Sequence, residues 1–261
     1  TFKKKGFTYN KKTKKKISAI LVTHVWGNAV YFNNLVKECK KRNINLVEDA
    51  SESLGTRYKK NNKHTGTFGL LGVLSFNANK IITTGSGGMI LTNSLKLAKK
   101  AKYLTTQAKD DSIFFVHNDV GYNYRMNNIS ASLGLSQLKQ LKIFLKRKKI
   151  IRNFYKSKIT KIKNLSIVKN PDYSSNNNWL NILKIGRKFK YSRNKLINHM
   201  IKNKISVRPI WKLNHLQKPF KNFQTYKIKN AIEQVKNSLC LPSSPSLTLK
   251  DLKKIIFYLN V

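Results

Sequence analysis

Acidic residues are scarce in this 261-residue chain: ten Asp and Glu stand against 53 Lys and Arg, a formal net charge of +43. Cysteine is nearly absent. Cys39 and Cys240 are too few for a disulfide framework and have no metal-ligand spacing, so a reduced, cytoplasmic setting without a bound metal is expected. No apolar run approaches the ~18–20 residues of a membrane span. The longest, Gly69 to Phe76, is far too short, and the Lys-rich start has no adjoining apolar segment of the kind a secretory signal carries. Wholesale disorder is excluded by a composition that is 40% hydrophobic and 10% aromatic, enough for one large domain or a large and a small one.

Arginine is scarce too. Only eight of the 53 basic residues are Arg, the other 45 being Lys, and 30 residues are Asn. Lys, Asn and Ile dominate the products of AT-rich coding sequence. A dedicated nucleic-acid surface would instead concentrate Arg and stacking aromatics in one stretch. The charge is therefore read as coding bias: weak, salt-sensitive attraction to any polyanion follows, with no specific nucleic-acid or membrane partner. Against this background the few acids stand out. Glu48, Asp49 and Glu52 place three of the ten within five positions.

Residues 17–23 (ISAILVT) read as a buried strand. Asn28 to Lys41 carries Phe32, Leu35, Val36 and Cys39 on one helical face, and Asn43 to Val47 reads as a second strand, ending in Glu48-Asp49. Strand, helix and strand at this spacing make a βαβ unit whose ligand edge is the carboxyl end of the strands, where Asp49 falls. A Gly/Thr-rich loop leads to strand 73–76, to Lys80, to Thr83-Thr84-Gly85-Ser86-Gly87-Gly88 and to strand 89–91. Helices are expected at 95–105, as one long connector at 127–159, at 192–202 and at 249–259, with strands at 179–185 and 205–208. The organisation expected is a domain at 1–140, a connecting helix at 141–160 and a smaller α/β domain at 161–261.

Asp49, Ser75 and Lys80 form a chemically coherent set. A lysine at a sheet edge can condense with a carbonyl cofactor. A carboxylate at a neighbouring strand end can keep a pyridine nitrogen protonated, and a hydroxyl among glycines can bind phosphate. Those are the anchors pyridoxal 5′-phosphate needs. Read singly, each has a plain alternative: Asp49 as a loop acid, Ser75 as a small strand residue, Lys80 as one solvated lysine of many.

Five ordered stretches go further. Val47-Glu48-Asp49-Ala50-Ser51-Glu52-Ser53-Leu54-Gly55, Leu74-Ser75-Phe76-Asn77-Ala78-Asn79-Lys80, Thr84-Gly85-Ser86-Gly87-Gly88-Met89, Gly121-Tyr122-Asn123-Tyr124-Arg125-Met126 and Arg208-Pro209-Ile210-Trp211 together resemble the DegT/StrS-type nucleotide-sugar aminotransferases. The similarity runs from His24-Val25-Trp26-Gly27-Asn28 to the last helix. It implies an α/β fold, the fold-type I large domain with a mostly parallel sheet, incomplete at its N-terminus, beside a smaller C-terminal α/β domain. It also implies a pyridoxal-phosphate transaminase that moves an amino group, from glutamate, to a 4-keto-6-deoxy nucleotide sugar in surface-polysaccharide biosynthesis.

The roles carry over residue by residue. Lys80 is implied as the catalytic lysine, Asp49 as the partner of the pyridine nitrogen, Ser75 as a phosphate ligand, and Glu52 as the residue standing where many members carry Gln or His near the ring hydroxyl. Asn123 is implied to reach the phosphate in the neighbouring subunit, which makes a homodimer the working unit. Arg125, Arg208 and His215 are the substrate-side candidates, and His24 is either a packing or a substrate-contacting histidine. Lys80, where some members carry His, favours amino transfer over dehydration. Glu48 to Gly55, Ala101 to Lys109 and His117-Asn118-Asp119 look most like the branch acting on UDP-linked 4-keto-6-deoxy-N-acetylhexosamines. Two positions depart from the pattern, Ser86 for a common Glu and Leu70 for a frequent Asp. The family carries a further N-terminal portion ahead of the point matching Thr1, supplying a phosphate turn and a ring-stacking side chain. The alternatives are a catalytically inactive remnant of such an enzyme and a basic polyanion-binding protein.

Overall fold

The structure, a computed structural model, describes residues 1–111 and 113–260. The chain divides into two compact units, Thr1–Ile143 with Pro171–Asn177, and Phe144–Asn170 with Asn178–Val261. The division falls inside a helix, and the segment 171–177, assigned by the sequence to a domain ending on Val261, belongs with the first unit. Val261 itself lies outside the described residues.

The first unit opens on a hairpin of β1 (Phe2–Lys4) and β2 (Phe7–Tyr9). Its two-residue turn puts Lys5 and Gly6 at positive φ, the twist that suits such a turn. The main sheet has the order β3-β4-β6-β7. Strands β3 (Ala19–Thr23), β4 (Asn45–Asp49) and β6 (Leu71–Ser75) are parallel, and β7 (Gly88–Leu91) runs back antiparallel. Register places Thr23, Asp49 and Val73 side by side on one face, and Ser75 two residues on shares it. That face is open: Leu21 is 64% exposed. The opposite face packs Leu46 against Ala29, Phe32, Cys39 and Tyr58, with Phe32, Tyr58 and Phe68 in mutual ring contact at 4.7–5.7 Å.

Helix α1 spans only Leu35–Arg42, so the expected start at Asn28 is seven residues early. Residues 29 and 30 have tertiary partners in place of helical ones. The Tyr58 hydroxyl donates to the Val30 carbonyl at 2.6 Å and the Tyr173 hydroxyl to that of Ala29 at 2.8 Å. Strand β5 (Arg57–Tyr58) pairs with β9 (Ser174–Ser175). Helix α2 (Leu95–Thr105) is capped by the Ser94 hydroxyl. Helix α3 (Asn128–Ile159) is continuous over 32 residues and passes from one unit into the other.

In the second unit the sheet order is β11-β12-β10-β8, all antiparallel. Its strands are β8 (Leu165–Ile167), β10 (Asn181–Ile185), β11 (Arg208–Pro209) and β12 (Ser238–Leu241), and its helices α4 (Arg193–Lys202), α5 (Lys229–Asn237) and α6 (Leu249–Leu259). The strand expected at 205–208 is reduced to two residues. Ile151, Tyr155 and Ile159 recur every four residues on α3 and lie fully buried against Leu183, Leu196, Leu239 and Leu259.

Candidate active site

Asp49 ends β4 on the open face, and one oxygen of its carboxylate accepts the Ser51 N–H at 3.0 Å. The chain then turns through Ala50, whose N–H is held by the Val73 carbonyl, and delivers Glu52. That carboxylate accepts the Trp26 main-chain N–H at 2.7 Å. Trp26 sits in a short 3-10 turn, Val25–Gly27, with a left-handed backbone (φ 60, ψ 16). Gly27 has no room for a side chain: a Cβ there would lie 1.8 Å from the Asn177 amide oxygen. The Asn177 amide nitrogen donates to the carbonyls of Glu52 and Leu54.

Lys80 follows β6 in a turn closed by its own N–H on the Asn77 carbonyl at 3.0 Å. Partial burial pushes its pKa below the ordinary lysine value, while the Glu52 carboxylate and then that of Asp49 hold it up. Burial likewise raises the Glu52 carboxyl, against the lowering effect of the Trp26 N–H and the Lys80 ammonium. Lys80, Glu52 and Asp49 are therefore one electrostatic cluster at the carboxyl end of the parallel strands. Ser75 stands on the same face, its hydroxyl oxygen 3.4 Å from the Asn77 N–H.

Asn123 and Arg125 are not in this cluster. Both are exposed, in a segment fixed by main-chain bonds from Tyr122 to Leu104 and from Tyr124 to Thr105. They line a cleft of about 830 Å³ with Lys102, Ser86, Met89 and Ile90, whose walls include none of Lys80, Asp49 or Glu52. Arg208 is exposed on β11 and donates to the Val207 carbonyl, and His215 is half-buried in a 3-10 turn. Both belong to the second unit.

The donor set suits pyridoxal phosphate. It offers a partly desolvated amine for the aldehyde, a strand-end carboxylate for the ring nitrogen, a second carboxylate beside the amine, and a hydroxyl. Trp26, whose main-chain N–H is held by Glu52, has a buried indole N–H with no hydrogen-bond partner among the described residues. Sequence reasoning missed Trp26, Asn177 and the bonding of Glu48. The left-handed Trp and a side chain arriving from residue 177 leave no local pattern. The signal for Glu48 was the crowding of three acids.

The sequence pattern of the DegT/DnrJ/EryC1/StrS aminotransferase family matches residues 8–260, and the chain belongs to that family. Its relatives include a GDP-perosamine synthase of Escherichia coli O157:H7, 32% identical over 234 residues, which cover 89% of this chain and 62% of the relative. A UDP-4-amino-4,6-dideoxy-N-acetyl-beta-L-altrosamine transaminase of Campylobacter jejuni (strain 81-176) is 30% identical, covering 91% of this chain and 63% of the relative. Among solved structures, PseC of Helicobacter pylori, an aminotransferase involved in the biosynthesis of pseudoaminic acid, superposes with a TM-score of 0.84 at 26% identity, covering 92% of this chain and 65% of that one. The fold is thus that of the family's aminotransferases. The chain spans under two thirds of the length of these relatives.

Proposed function

We propose that this chain carries the lysine-bearing site of a pyridoxal-phosphate-dependent nucleotide-sugar aminotransferase in surface-polysaccharide biosynthesis, acting on a 4-keto-6-deoxy sugar with glutamate as donor. The observation that carries the reading is the placement of Asp49 at the end of β4, Glu52 in the turn after it and Lys80 in the turn after β6, where both carboxylates act on the Lys80 amine. Family membership supports the reaction class. The relatives' names support the substrate class, UDP and GDP sugars both being represented.

When bound, the cofactor supplies an electron sink for the carbanion formed at the amine carbon. The chain's own residues do the rest. Lys80, whose ammonium is disfavoured by burial, would hold the cofactor through its Nζ and would carry a proton at that atom. Asp49 would pair with the ring nitrogen and favour its protonated form. Glu52, fixed by Trp26, faces the Lys80 amine and stabilises its charged form in the return step. Ser75 binds the phosphate. Arg208 and His215 serve the sugar nucleotide. The exposed Asn123–Arg125 segment serves the site of a second subunit, so the working unit is a cytoplasmic homodimer. Its solvent-facing Tyr122 and Tyr124, stacked at 5.2 Å, support that placement.

Addition of pyridoxal phosphate is expected to produce a visible absorption band, and borohydride reduction should fix the pyridoxyl mass on Lys80 alone. Lys80→Ala is expected to lose both. A band that survives this substitution, or a label spread over surface lysines, overturns the assignment.

A further inference from the structure

We propose that the buried His24–Glu48 pair is the positioning element of this site, clamping the segments that carry Asp49 and Glu52 from the far side of the sheet. Glu48 precedes Asp49 on β4, so strand alternation turns its side chain to the opposite face. It is fully buried. One carboxylate oxygen accepts the His24 Nε2 hydrogen at 3.0 Å and the Gly66 N–H at 2.7 Å. The other accepts the N–H groups of Phe68 and Gly69, each at 2.6 Å. Four donors thus meet the four lone-pair sites of an ionised carboxylate. Burial acts to raise this carboxyl, yet the His24 bond and the three N–H groups outweigh it, and the group titrates below the ordinary glutamate value.

His24 is equally committed. Its Nδ1 accepts the Val30 N–H at 3.0 Å, which leaves the hydrogen on Nε2, where it points to Glu48. The His24 main-chain N–H donates to the Asp49 carbonyl at 3.0 Å, and the His24 carbonyl receives the Gly27 N–H that closes the turn bearing Trp26. One residue therefore grips Asp49 through its backbone, Glu48 through its ring, and Glu52 through the turn that presents the Trp26 N–H. A carboxylate needed only to pin the loop at 66–69 would not require the histidine. The inference rests on the proposed function only for what Asp49 and Glu52 do.

Two substitutions separate the links. His24→Gln can still present an amide N–H near the Nε2 position and keep the bond to Glu48. His24→Asn places an amide oxygen near Nδ1 and keeps only the bond from Val30. The titration of the Glu52 carboxyl, followed by NMR in the full chain without cofactor, is the first readout. The pyridoxal phosphate dissociation constant is the second. In His24→Asn the Glu52 midpoint should fall toward the ordinary glutamate value, and cofactor affinity should drop about tenfold to a hundredfold, taking as the scale the loss seen when the hydrogen-bond partner of a metal ligand is removed. His24→Gln should stay near the wild type in both.

Loss of thermal stability with an unchanged Glu52 titration in both variants would reduce the pair to a structural contact and overturn the proposal. Should the variants not fold, the imidazole nitrogen shifts of the wild-type chain decide: a hydrogen on Nε2 supports the clamp, and one on Nδ1 overturns it. If the wild type binds no cofactor, the proposed function fails while the Glu52 titration still tests the clamp.

Discussion

Lys148 shows what a single lysine does when this Lys-rich chain buries one. It lies on α3, 4% exposed, its ammonium donating to the Trp179 and Ser243 carbonyls at 2.8 and 2.7 Å. Burial pushes its pKa down from 10.5 to about 8. Between those values the unfolded chain binds the proton and the folded chain does not, so this group adds stability as pH rises through the window. Lys148→Met lacks that gain and leaves two carbonyls without their donor. Denaturant unfolding is expected to show a destabilised variant whose deficit widens from about pH 8 to about pH 10, and a constant deficit would refute the linkage. Lys80 differs in kind. It is only partly buried, and its two carboxylate neighbours oppose the lowering of its pKa, which suits the attacking and proton-carrying role proposed for it.

At the scale of elements, the helices that match the sequence reading most closely are ones whose first turn carries a side-chain cap. Helix α6 spans the residues the sequence placed in it, and its start is fixed by the reciprocal capping box of Thr248 and Asp251. Thr248→Ala should cost about 1 kcal/mol, read as a shift in denaturation midpoint at unchanged slope. Helix α2 likewise starts where the sequence placed it, with the Ser94 hydroxyl accepting the Leu97 N–H. Helix α1 does not: residues 29 and 30 look helical by periodicity, but tyrosine hydroxyls from residues 58 and 173 hold their carbonyls, and tertiary bonds outweigh propensity. The two-residue strands β5, β9 and β11 carry no period at all. In the candidate site, Asp49, Glu52, Ser75 and Lys80 were legible as ordered motifs, whereas Trp26 and Asn177 act through backbone conformation and distant sequence. Gly72 belongs with them. A Cβ there would lie 2.0 Å from the Gly66 carbonyl oxygen, so the loop that feeds N–H groups to Glu48 can lie against β6 only because that residue is glycine.

For the molecule as a whole, the separation of Asn123 and Arg125 from the Lys80 cluster has a direct test. Two variants, Lys80→Ala and Asn123→Ala with Arg125→Ala, are each expected to be inactive in the enzyme. Mixed under conditions that exchange subunits, they should recover part of the activity, because with the proposed sharing one site of each mixed dimer again has both its lysine and its loop. Failure to recover although mixed dimers form would assign the loop to its own subunit. The charge of +43 does not oppose pairing in principle, since its repulsion is screened beyond about 8 Å at physiological salt.

The route of the segment 171–177 bears on the order in which the protein matures on the ribosome. Strands β3, β4, β6 and β7 all lie within residues 19–91, so these four strands can pair before residue 171 is made. The stretch bearing Glu52 cannot finish then. Its carbonyls at 52 and 54 wait for the Asn177 side chain, and β5 waits for β9. By the time residue 177 emerges, α3 and β8 have already been made, and the nascent chain has to bring the segment back to the sheet while the second unit is still incomplete. These strands are thus available before the stretch bearing Glu52 is complete, and a nascent chain stalled ahead of residue 171 would display ordered strands around an unfinished candidate site.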